Sequence, residues 1–116
     1  MELQSIPDAE RAEPMAGVTA APLLTGERAN VQQFRIEPGV ETSPHSHPHE
    51  QLIVVFGGKL TIETPDRTAT LGPRETCLLP GGESHAAANR GNAPAEGFDD
   101  FSPPRPDAEA YLDRAE

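Results

Sequence analysis

The chain has 116 residues, the size of one ordinary domain. It carries 19 acidic and 9 basic residues, a formal net charge of −10, and its basic residues are scattered singly, so no positive stripe is present to bind phosphates. The composition therefore argues against a nucleic-acid partner. The 13 prolines and 10 glycines favour short strands joined by turns over a helical bundle.

The sequence has no segment typical of a membrane span or a leader peptide. Its longest apolar run, "LIVVF", is far shorter than the roughly 20 residues that a membrane helix needs. The start "MELQSIPDAERAEP" has neither a basic nor an apolar region. The single cysteine, Cys77, rules out an internal disulfide and is expected to be a small buried side chain. We expect a cytoplasmic protein with no membrane partner.

Along the chain, the pattern predicts one antiparallel all-β domain over residues 17–106. Residues 1–16 are acidic, interrupted by prolines and have little to pack, so we expect an N-terminal arm that only a partner subunit would order. Strands are predicted at 18–24, 30–38, 51–56, 59–64, 68–71, 76–80 and 84–89, followed by a last strand near 99–101. A tail is expected at 107–116, with a short helix near 108–114.

The run "LIVVF" is apolar on both of its faces. Because side chains alternate along a strand, Ile53 and Val55 share one face, while Leu52, Val54 and Phe56 share the other. A strand with one solvent-facing side would alternate apolar and polar residues. We therefore expect both faces to be covered, and a homodimer interface is one candidate for the outer cover.

Three of the four histidines lie within five positions, in the segment "PHSHPHEQ". Residues two apart in a strand point the same way, so His45 and His47 present two imidazoles to one side. Gln51 falls on the same side and offers an amide oxygen, and His85 approaches from a later strand. We therefore predict a divalent metal bound by His45, His47, Gln51 and His85, for which Zn, Ni, Mn, Fe and Co are all suitable. His49 is expected in the loop or behind the ligands.

Two segments, "GVETSPHSHPHEQLIVVFGG" and "PGGESHAAAN", resemble the two motifs of the cupin family. The first motif matches at Gly39, His45, His47, Gln51 and Gly58. The second motif matches at Pro80, Gly82, His85 and Asn89. The resemblance spans most of the predicted domain. It implies a small double-stranded β-helix, or jelly-roll barrel, which is usually dimeric and holds a divalent metal inside.

Two positions depart from the cupin pattern. The glycine expected six residues before Pro80 is Arg74, which predicts a reshaped turn. The usual glutamate ligand is replaced by Gln51, unless Glu50 takes its place through a bulge. Three neutral imidazoles and a neutral amide leave the full charge on the cation, which favours Lewis-acid chemistry on an anionic substrate over oxygen activation. Glu50 on the metal would instead favour iron-dependent oxidation.

The segment "FDDFSPPRP" forms a second constellation near the end of the chain. Asp99 and Phe101 share one face of the last predicted strand, and the Pro-Pro step can turn the chain so that Arg105 folds back. A carboxylate, an aromatic wall and a guanidinium would then meet over the barrel mouth. The simpler alternative is a core phenylalanine, a solvated aspartate and an arginine in a surface ion pair of little energetic value.

Taken together, the histidine segment and the closing Asp-x-Phe-x-Pro-x-Arg pattern resemble the pectin-degradation cupins of the KdgF type. That family converts 4,5-unsaturated uronate monosaccharides into open-chain keto acids. The resemblance implies a small anionic, sugar-acid substrate and active-site roles for Asp99, Phe101 and Arg105, with Asp99 as general acid and base. Two alternatives stay open. One is a dioxygenase or other oxidoreductase with Fe(II), and the other is a metal-containing barrel that binds or senses a ligand without turnover.

Overall fold

The chain folds into short strands joined by turns and loops. The computed structural model describes residues 1–105, which form β1 (Ala12–Met15), β2 (Val18–Thr25), β3 (Asn30–Ile36), β4 (Glu50–Gly57), β5 (Leu60–Glu63), β6 (Thr68–Leu71), β7 (Thr76–Leu79), β8 (Ala86–Ala88) and β9 (Ala95–Ser102). Among these residues there is no helix, and hence none long and apolar enough to cross a membrane. The predicted tail at 107–116, with its helix near 108–114, lies outside the described residues.

The strands form two antiparallel sheets. The larger sheet has the strand order β1-β2-β3-β9-β4-β7, and the smaller one has the order β6-β5-β8. In the larger sheet, β9 lies between β3 and β4, so strands far apart in sequence become neighbours, as in a jelly roll. The all-β jelly-roll fold predicted from the sequence is confirmed.

A hydrophobic core fills the space between the two sheets. Phe34, Ile53 and Val55 project from the larger sheet and meet Leu60 and Ile62 of the smaller sheet. None of these five side chains is more than 4% exposed. Burying a side chain of this size stabilises the folded state by about 1.5–3 kcal/mol. This core therefore holds the sheets together and fixes the barrel on which the site is built.

The inner surface of the central strands β3, β9 and β4 changes from apolar to polar along the barrel. Phe34, Gly97 and Val55 are aligned across the three strands at the apolar end. Toward the other end, two further aligned rows contain Gln32, Asp99 and Ile53, and then Asn30, Phe101 and Gln51. Polar side chains thus collect at one end of the barrel interior.

The N-terminal segment packs more closely than its sequence predicts. Ala12–Met15 form β1 and pair with β2, with Met15 opposite Val18. Pro14 is buried, and Met15 packs against the hydrophobic core. The prediction of an arm that only a partner subunit would order is therefore wrong for β1, because Pro14 and Met15 anchor this edge strand within one chain.

The outer face of β4 is exposed in the single chain. Leu52, Val54 and Phe56 are between 39% and 43% exposed. Leu78 on β7 lies beside Leu52 and is 53% exposed, while Phe98 on β9 packs against Phe56 with ring centroids 5.1 Å apart. We call this set the outer apolar face. The inner face of β4 is buried as predicted, whereas the described part of one chain supplies no cover for the outer apolar face.

The turn between β6 and β7 contains Arg74, at the position where the cupin pattern has glycine. Arg74 has a φ angle of +73°, in the left-handed region that glycine adopts most easily. Its N–H donates a hydrogen bond of 2.8 Å to the carbonyl oxygen of Val55. The arginine itself takes this left-handed conformation, at a cost of about 1 kcal/mol, and the reshaped turn stays a prediction.

Candidate metal centre

Backbone hydrogen bonds join the two segments that carry the predicted ligands. His45 lies in the connection between β3 and β4, and His85 directly precedes β8. The N–H of each donates to the carbonyl oxygen of the other, at 2.9 and 2.8 Å. In addition, the N–H of Gly82 donates to the carbonyl oxygen of His47 at 2.8 Å. These bonds hold side chains that are distant in sequence on the same side of the barrel.

Gly81 permits the two segments to approach this closely. A Cβ atom at Gly81 would lie 2.3 Å from the carbonyl oxygen of Pro48, far inside van der Waals contact. The neighbouring Gly82 has a φ of +85°, which a residue with a Cβ adopts only at a cost. The "PGG" turn therefore acts as a close-packing surface for the histidine segment.

The structure brings His45, His47 and His85 into one cluster. One potential ligand atom from each lies within 4.8 Å of the other two. The ring centroids of His45 and His85 are 4.5 Å apart, and those of His47 and His85 are 5.0 Å apart. His47 and His85 are each only 5% exposed. Three imidazoles that converge in this way are typical of a bound transition metal.

The protonation of each ring is set by a backbone carbonyl near it in sequence. The Nδ1 atoms of His45, His47 and His85 lie 2.9, 3.0 and 3.0 Å from carbonyl oxygens of Ser43, His49 and Glu83, respectively. Because a carbonyl oxygen only accepts, each Nδ1 carries the hydrogen and each Nε2 of a neutral ring presents its lone pair. This is the arrangement in which histidines bind metals through Nε2.

Burial favours the neutral forms that bind metal. Desolvation, with smaller contributions from the charges of His45, His47 and Arg105, lowers the pKa of His85 to about 4. Desolvation and the charge of Arg105 also lower the pKa of His47. The Nε2 atom of His85 is buried and has no hydrogen-bond partner among the described residues. A cation at the cluster would supply the missing partner.

Gln51 completes the predicted ligand set. It is 5% exposed on the inner face of β4, and its Oε1 lies 3.1 Å from Nε2 of His47. Two atoms that bind one cation at about 2.1 Å each are separated by roughly 3 to 3.5 Å. Glu50 is exposed, and the pairing of β4 with β9 is regular from Glu50 to Val55, so no bulge turns Glu50 inward.

Asp99 lies directly behind Gln51. It is 2% exposed, and Nε2 of Gln51 donates a hydrogen bond of 2.9 Å to its Oδ1. Burial raises the pKa of Asp99 to about 7, although the hydrogen bond from Gln51, the nearby amide of Gln32 and the charge of Arg105 oppose this. The alternative of a solvated aspartate is therefore wrong.

Phe101 and Arg105 form the adjoining wall. Phe101 is 1% exposed, and its ring centroid is 5.8 Å from that of His47. The guanidinium carbon of Arg105 lies 5.5 Å from the centroid of the Phe101 ring. Arg105 is 7% exposed, so the alternative of a surface ion pair is also wrong. The predicted turn after β9 therefore does bring the arginine back toward the histidines.

Other polar residues near the cluster had weaker sequence signals. His49 stands outside the three-histidine cluster, with its ring centroid 5.5 Å from that of His47. Asn30 and Gln32 are 3% and 0% exposed on the inner face of β3. The two-residue spacing of Asn30 and Gln32 from Phe34 was the sequence signal that places them on the inner face.

A small cavity adjoins the cluster on its core side. Its volume is ≈ 20 Å³, which has room for about one water molecule. His45, His85, Gln51 and Asp99 border it together with apolar side chains such as Ile53. A cavity of this size has no room for a molecule as large as a sugar.

The donor set fits a divalent transition metal. Neutral imidazoles and an amide oxygen are ligands that Zn, Ni, Mn, Fe and Co all accept. Nε2 of His85 is buried without a hydrogen-bond partner, and the lone pairs of His47 Nε2 and Gln51 Oε1 face each other at 3.1 Å. A cation bound by all three atoms would satisfy the first and remove the repulsion between the other two. The backbone carbonyl oxygens that accept from the three Nδ1 atoms hold the imidazoles in the orientation for binding before a metal is present.

Comparisons with known proteins agree with this architecture. The cupin domain family matches residues 32–99 of the chain. No curated protein has significant sequence similarity to it. Among solved structures, it is similar to KdgF from a Halomonas species, with 19% identity, a TM-score of 0.83, and coverage of 90% of this chain and 96% of that one.

Two further solved structures show the same likeness. An RmlC-like cupin from Shewanella frigidimarina has 19% identity and a TM-score of 0.82, with coverage of 90% of this chain and 93% of that one. The polyketide cyclase RemF from Streptomyces resistomycificus has 24% identity and a TM-score of 0.80, with coverage of 92% and 82%, respectively. At these identities the likeness establishes the fold.

Proposed function

We propose that this chain, which belongs to the cupin domain family, is a metal-dependent enzyme that opens the ring of 4,5-unsaturated uronate monosaccharides. The observation that carries the proposal is the hydrogen bond of 2.9 Å between Gln51 and Asp99. It ties a carboxyl group that can act as acid and base to the candidate ligand set. The similarity to KdgF supports the same activity.

Each residue near the cluster has a role in this reaction. A divalent cation held by His45, His47, Gln51 and His85 would supply Lewis-acid polarisation of a substrate oxygen. Arg105 would bind the sugar carboxylate through two parallel hydrogen bonds, which a guanidinium makes better than an ammonium. Phe101, which is 1% exposed, would exclude water from one side of the sugar.

Asp99 would move the proton. As a carboxylate it takes the proton from the anomeric hydroxyl, the bond between the anomeric carbon and the ring oxygen breaks, and an aldehyde forms. The released enolate then takes that proton from Asp99 at the enol carbon, which leaves a ketone. The substrate and the product have the same composition, and Asp99 ends in its starting state. The reaction is therefore an isomerisation that needs no co-reactant.

The geometry favours this reaction over iron-dependent oxidation. An oxidising iron centre usually has a carboxylate ligand, and Glu50 was the residue able to supply one. Glu50 is exposed on the outer face of β4, while the neutral Gln51 faces the histidines. The four candidate ligands are all neutral, and the positive charge stays available to an anionic substrate.

The test compares Asp99→Asn with Asp100→Asn, the next residue on the same strand, which points to the other face. Loss of the ultraviolet absorbance of an unsaturated uronate would be followed with metal-loaded and metal-stripped protein. We expect turnover only with metal, a loss of at least about 100-fold in kcat for Asp99→Asn, and little change for Asp100→Asn. Equal rates for wild type and Asp99→Asn would remove Asp99 from the mechanism, and a barrel that only binds its ligand would show no turnover at all.

We also propose that two copies of the chain associate through the outer apolar face. Leu52, Val54, Phe56 and Leu78 are each at least 39% exposed there, next to one another on β4 and β7. A contiguous apolar patch on an otherwise acidic protein is typical of a protein–protein interface. A second copy is the expected partner because the same face on both subunits makes a closed, two-fold symmetric contact.

A further inference from the structure

Asn30 lies at the start of β3, on the inner face of the barrel beside Phe101. The two residues are direct partners in the pairing of β3 with β9. Asn30 is 3% exposed, so its amide group has to find its hydrogen-bond partners inside the protein. Those partners belong to a segment 75 positions further along the chain.

The amide of Asn30 makes two reciprocal hydrogen bonds with the backbone of Arg105. Its Nδ2 donates to the carbonyl oxygen of Arg105 at 3.2 Å, and its Oδ1 accepts from the N–H of Arg105. A side-chain amide that pairs with both polar groups of one residue imitates a neighbouring strand. Arg105 is therefore held by its main chain and not only by its charged end.

The chain before Arg105 cannot hold itself in this way. Pro103 and Pro104 follow the last residue of β9, and neither has a backbone N–H to donate. The N–H of Arg105 is the first one after the end of the strand, and it goes to Asn30. The hydroxyl of Ser102 adds one more bond, of 2.8 Å, to the carbonyl oxygen of Arg28.

We propose that Asn30 is a positioning residue that fixes the guanidinium of Arg105 above the Phe101 ring, where it receives the carboxylate of the substrate. Asn30 holds the main chain of Arg105, and the Phe101 ring, 5.5 Å from the guanidinium carbon, directs its side chain. The role in substrate binding rests on the proposed function, whereas the placement of Arg105 by Asn30 does not.

The first test measures placement without any substrate. A proton above an aromatic ring is shifted upfield, so the Arg105 Nε–H signal of the metal-loaded protein is expected upfield of its position in a flexible arginine. Asn30→Ala should return this signal to the flexible position. Asn30→Asp, which keeps the size and the acceptor but turns a carboxylate toward the carbonyl oxygen of Arg105, should do the same. A comparison with Arg105→Ala assigns the signal.

Gln33→Ala is the matched control. Gln33 is an amide residue on the same strand, is 5% exposed, and donates a hydrogen bond of 3.3 Å to Glu96 on the opposite side of the sheet from Asn30. Its loss should leave the Arg105 signal in place. An unchanged signal in both Asn30 variants, or an equal change in Gln33→Ala, would overturn the proposal.

The second test is a double-mutant cycle on turnover. Asn30→Asp should raise the KM for the unsaturated uronate by about tenfold with a smaller effect on kcat, because ground-state binding of the carboxylate is lost. In an Arg105→Ala background, the same change should have no further effect. A further tenfold rise in that background would show that Asn30 acts independently of Arg105, against the proposal.

The two tests separate the inference from the proposed function. If no uronate is turned over but the Arg105 signal depends on Asn30 as expected, the positioning role stands and the proposed reaction falls. If turnover occurs and the signal does not depend on Asn30, the positioning role falls and the reaction stands. Affinity for Zn²⁺, measured by competition with a chelator, should remain within about threefold of wild type in the Asn30 variants, since the side-chain hydrogen bonds of Asn30 go to Arg105.

Discussion

At the scale of single residues, the histidines of the cluster depend on backbone atoms close to them in the chain. Nδ1 of His47 lies 3.0 Å from the carbonyl oxygen of His49, and Nδ1 of His85 lies 3.0 Å from that of Glu83. His49 therefore supports the cluster through its main chain, which any residue at that position retains. Its imidazole is not needed for this contact.

This difference predicts opposite results for two histidine substitutions. His85→Ala should weaken the affinity for Zn²⁺ by at least about 100-fold, because it removes a ligand from a preformed set. His49→Ala should change the affinity by less than about threefold. Competition with a chromophoric chelator at neutral pH measures both. Strong metal binding by His85→Ala, with all other residues intact, would contradict the assignment of His85 as a ligand.

Two of the buried titratable groups, Asp99 and His85, make the stability of the metal-free protein depend on pH in opposite directions. Burial raises the pKa of Asp99 from 3.8 to about 7, so its contribution to stability is present below pH 4 and is lost as the pH rises toward 7. Burial lowers the pKa of His85 from 6.5 to about 4, so its contribution is present above pH 6.5 and is lost as the pH falls toward 4. The two effects partly cancel in the wild type.

Replacing one of these groups should reveal the other. In metal-free Asp99→Asn, the free energy of unfolding should rise relative to wild type as the pH increases from 4 to 7, by up to roughly 4 kcal/mol. Urea denaturation in the presence of a chelator at several pH values measures the difference. A difference that is the same at pH 4.5 and pH 7 would show that Asp99 titrates normally in the folded protein.

The sequence revealed much of the site at this scale because strands have a strict two-residue period. That period turned Gln51 inward and Glu50 outward on β4, as the structure has them, whereas His45 and His47 converge although both lie in the connection before β4. It did not reveal Asn30, because the hydrogen bonds of Asn30 run to Arg105, and contacts over 75 positions follow from topology and not from spacing.

At the scale of structural elements, short runs of apolar residues between turn residues were sufficient to predict eight of the nine described strands. The exception was β1, where Ala12 and Glu13 are exposed and only two residues pack inward. An edge strand of this kind gains its stability from pairing with β2. The pattern of one short segment therefore could not distinguish it from a polar arm.

The positive φ of Arg74, in the turn between β6 and β7, is expected to lower the stability of the protein. Arg74→Gly should stabilise the protein by about 1 kcal/mol, because glycine takes a φ of +73° without the steric penalty of a Cβ. Thermal unfolding of the metal-free protein would show a rise of a few degrees. Arg67→Gly, in the turn between β5 and β6, is the control, since Arg67 has no positive φ and glycine there should be neutral or destabilising. No gain at Arg74 would mean that its side chain contributes more than the turn geometry costs.

At the scale of the whole molecule, the outer apolar face and the candidate metal centre lie on opposite sides of β4. Gln51 and Ile53 point into the barrel, whereas Leu52 and Val54 point out of it. One face of β4 lines the barrel interior and the other forms the outer apolar face. This explains why apolar and polar residues do not alternate along β4. The pattern predicted a cover on each side, and residues 1–105 supply only the inner one.

Disrupting this face should separate the subunits. Phe56→Glu should convert a dimer into a monomer, as measured by light scattering after size-exclusion chromatography at about 50 μM protein, because two buried carboxylates would oppose each other across a two-fold axis. Leu3→Glu is the control, since Leu3 is 84% exposed and lies outside the face. A wild-type protein that is monomeric at this concentration would contradict the proposed dimer.

The bridge between His45 and His85 has a consequence for how the fold is maintained. It joins two places that are 40 positions apart in the chain, and a cation bound by both would act as a removable cross-link that exists only while the barrel is closed. An unfolded chain offers the cation at most neighbouring imidazoles. Saturating metal should therefore slow opening of the barrel, and supply of the ion during synthesis would determine how long each molecule survives proteolysis.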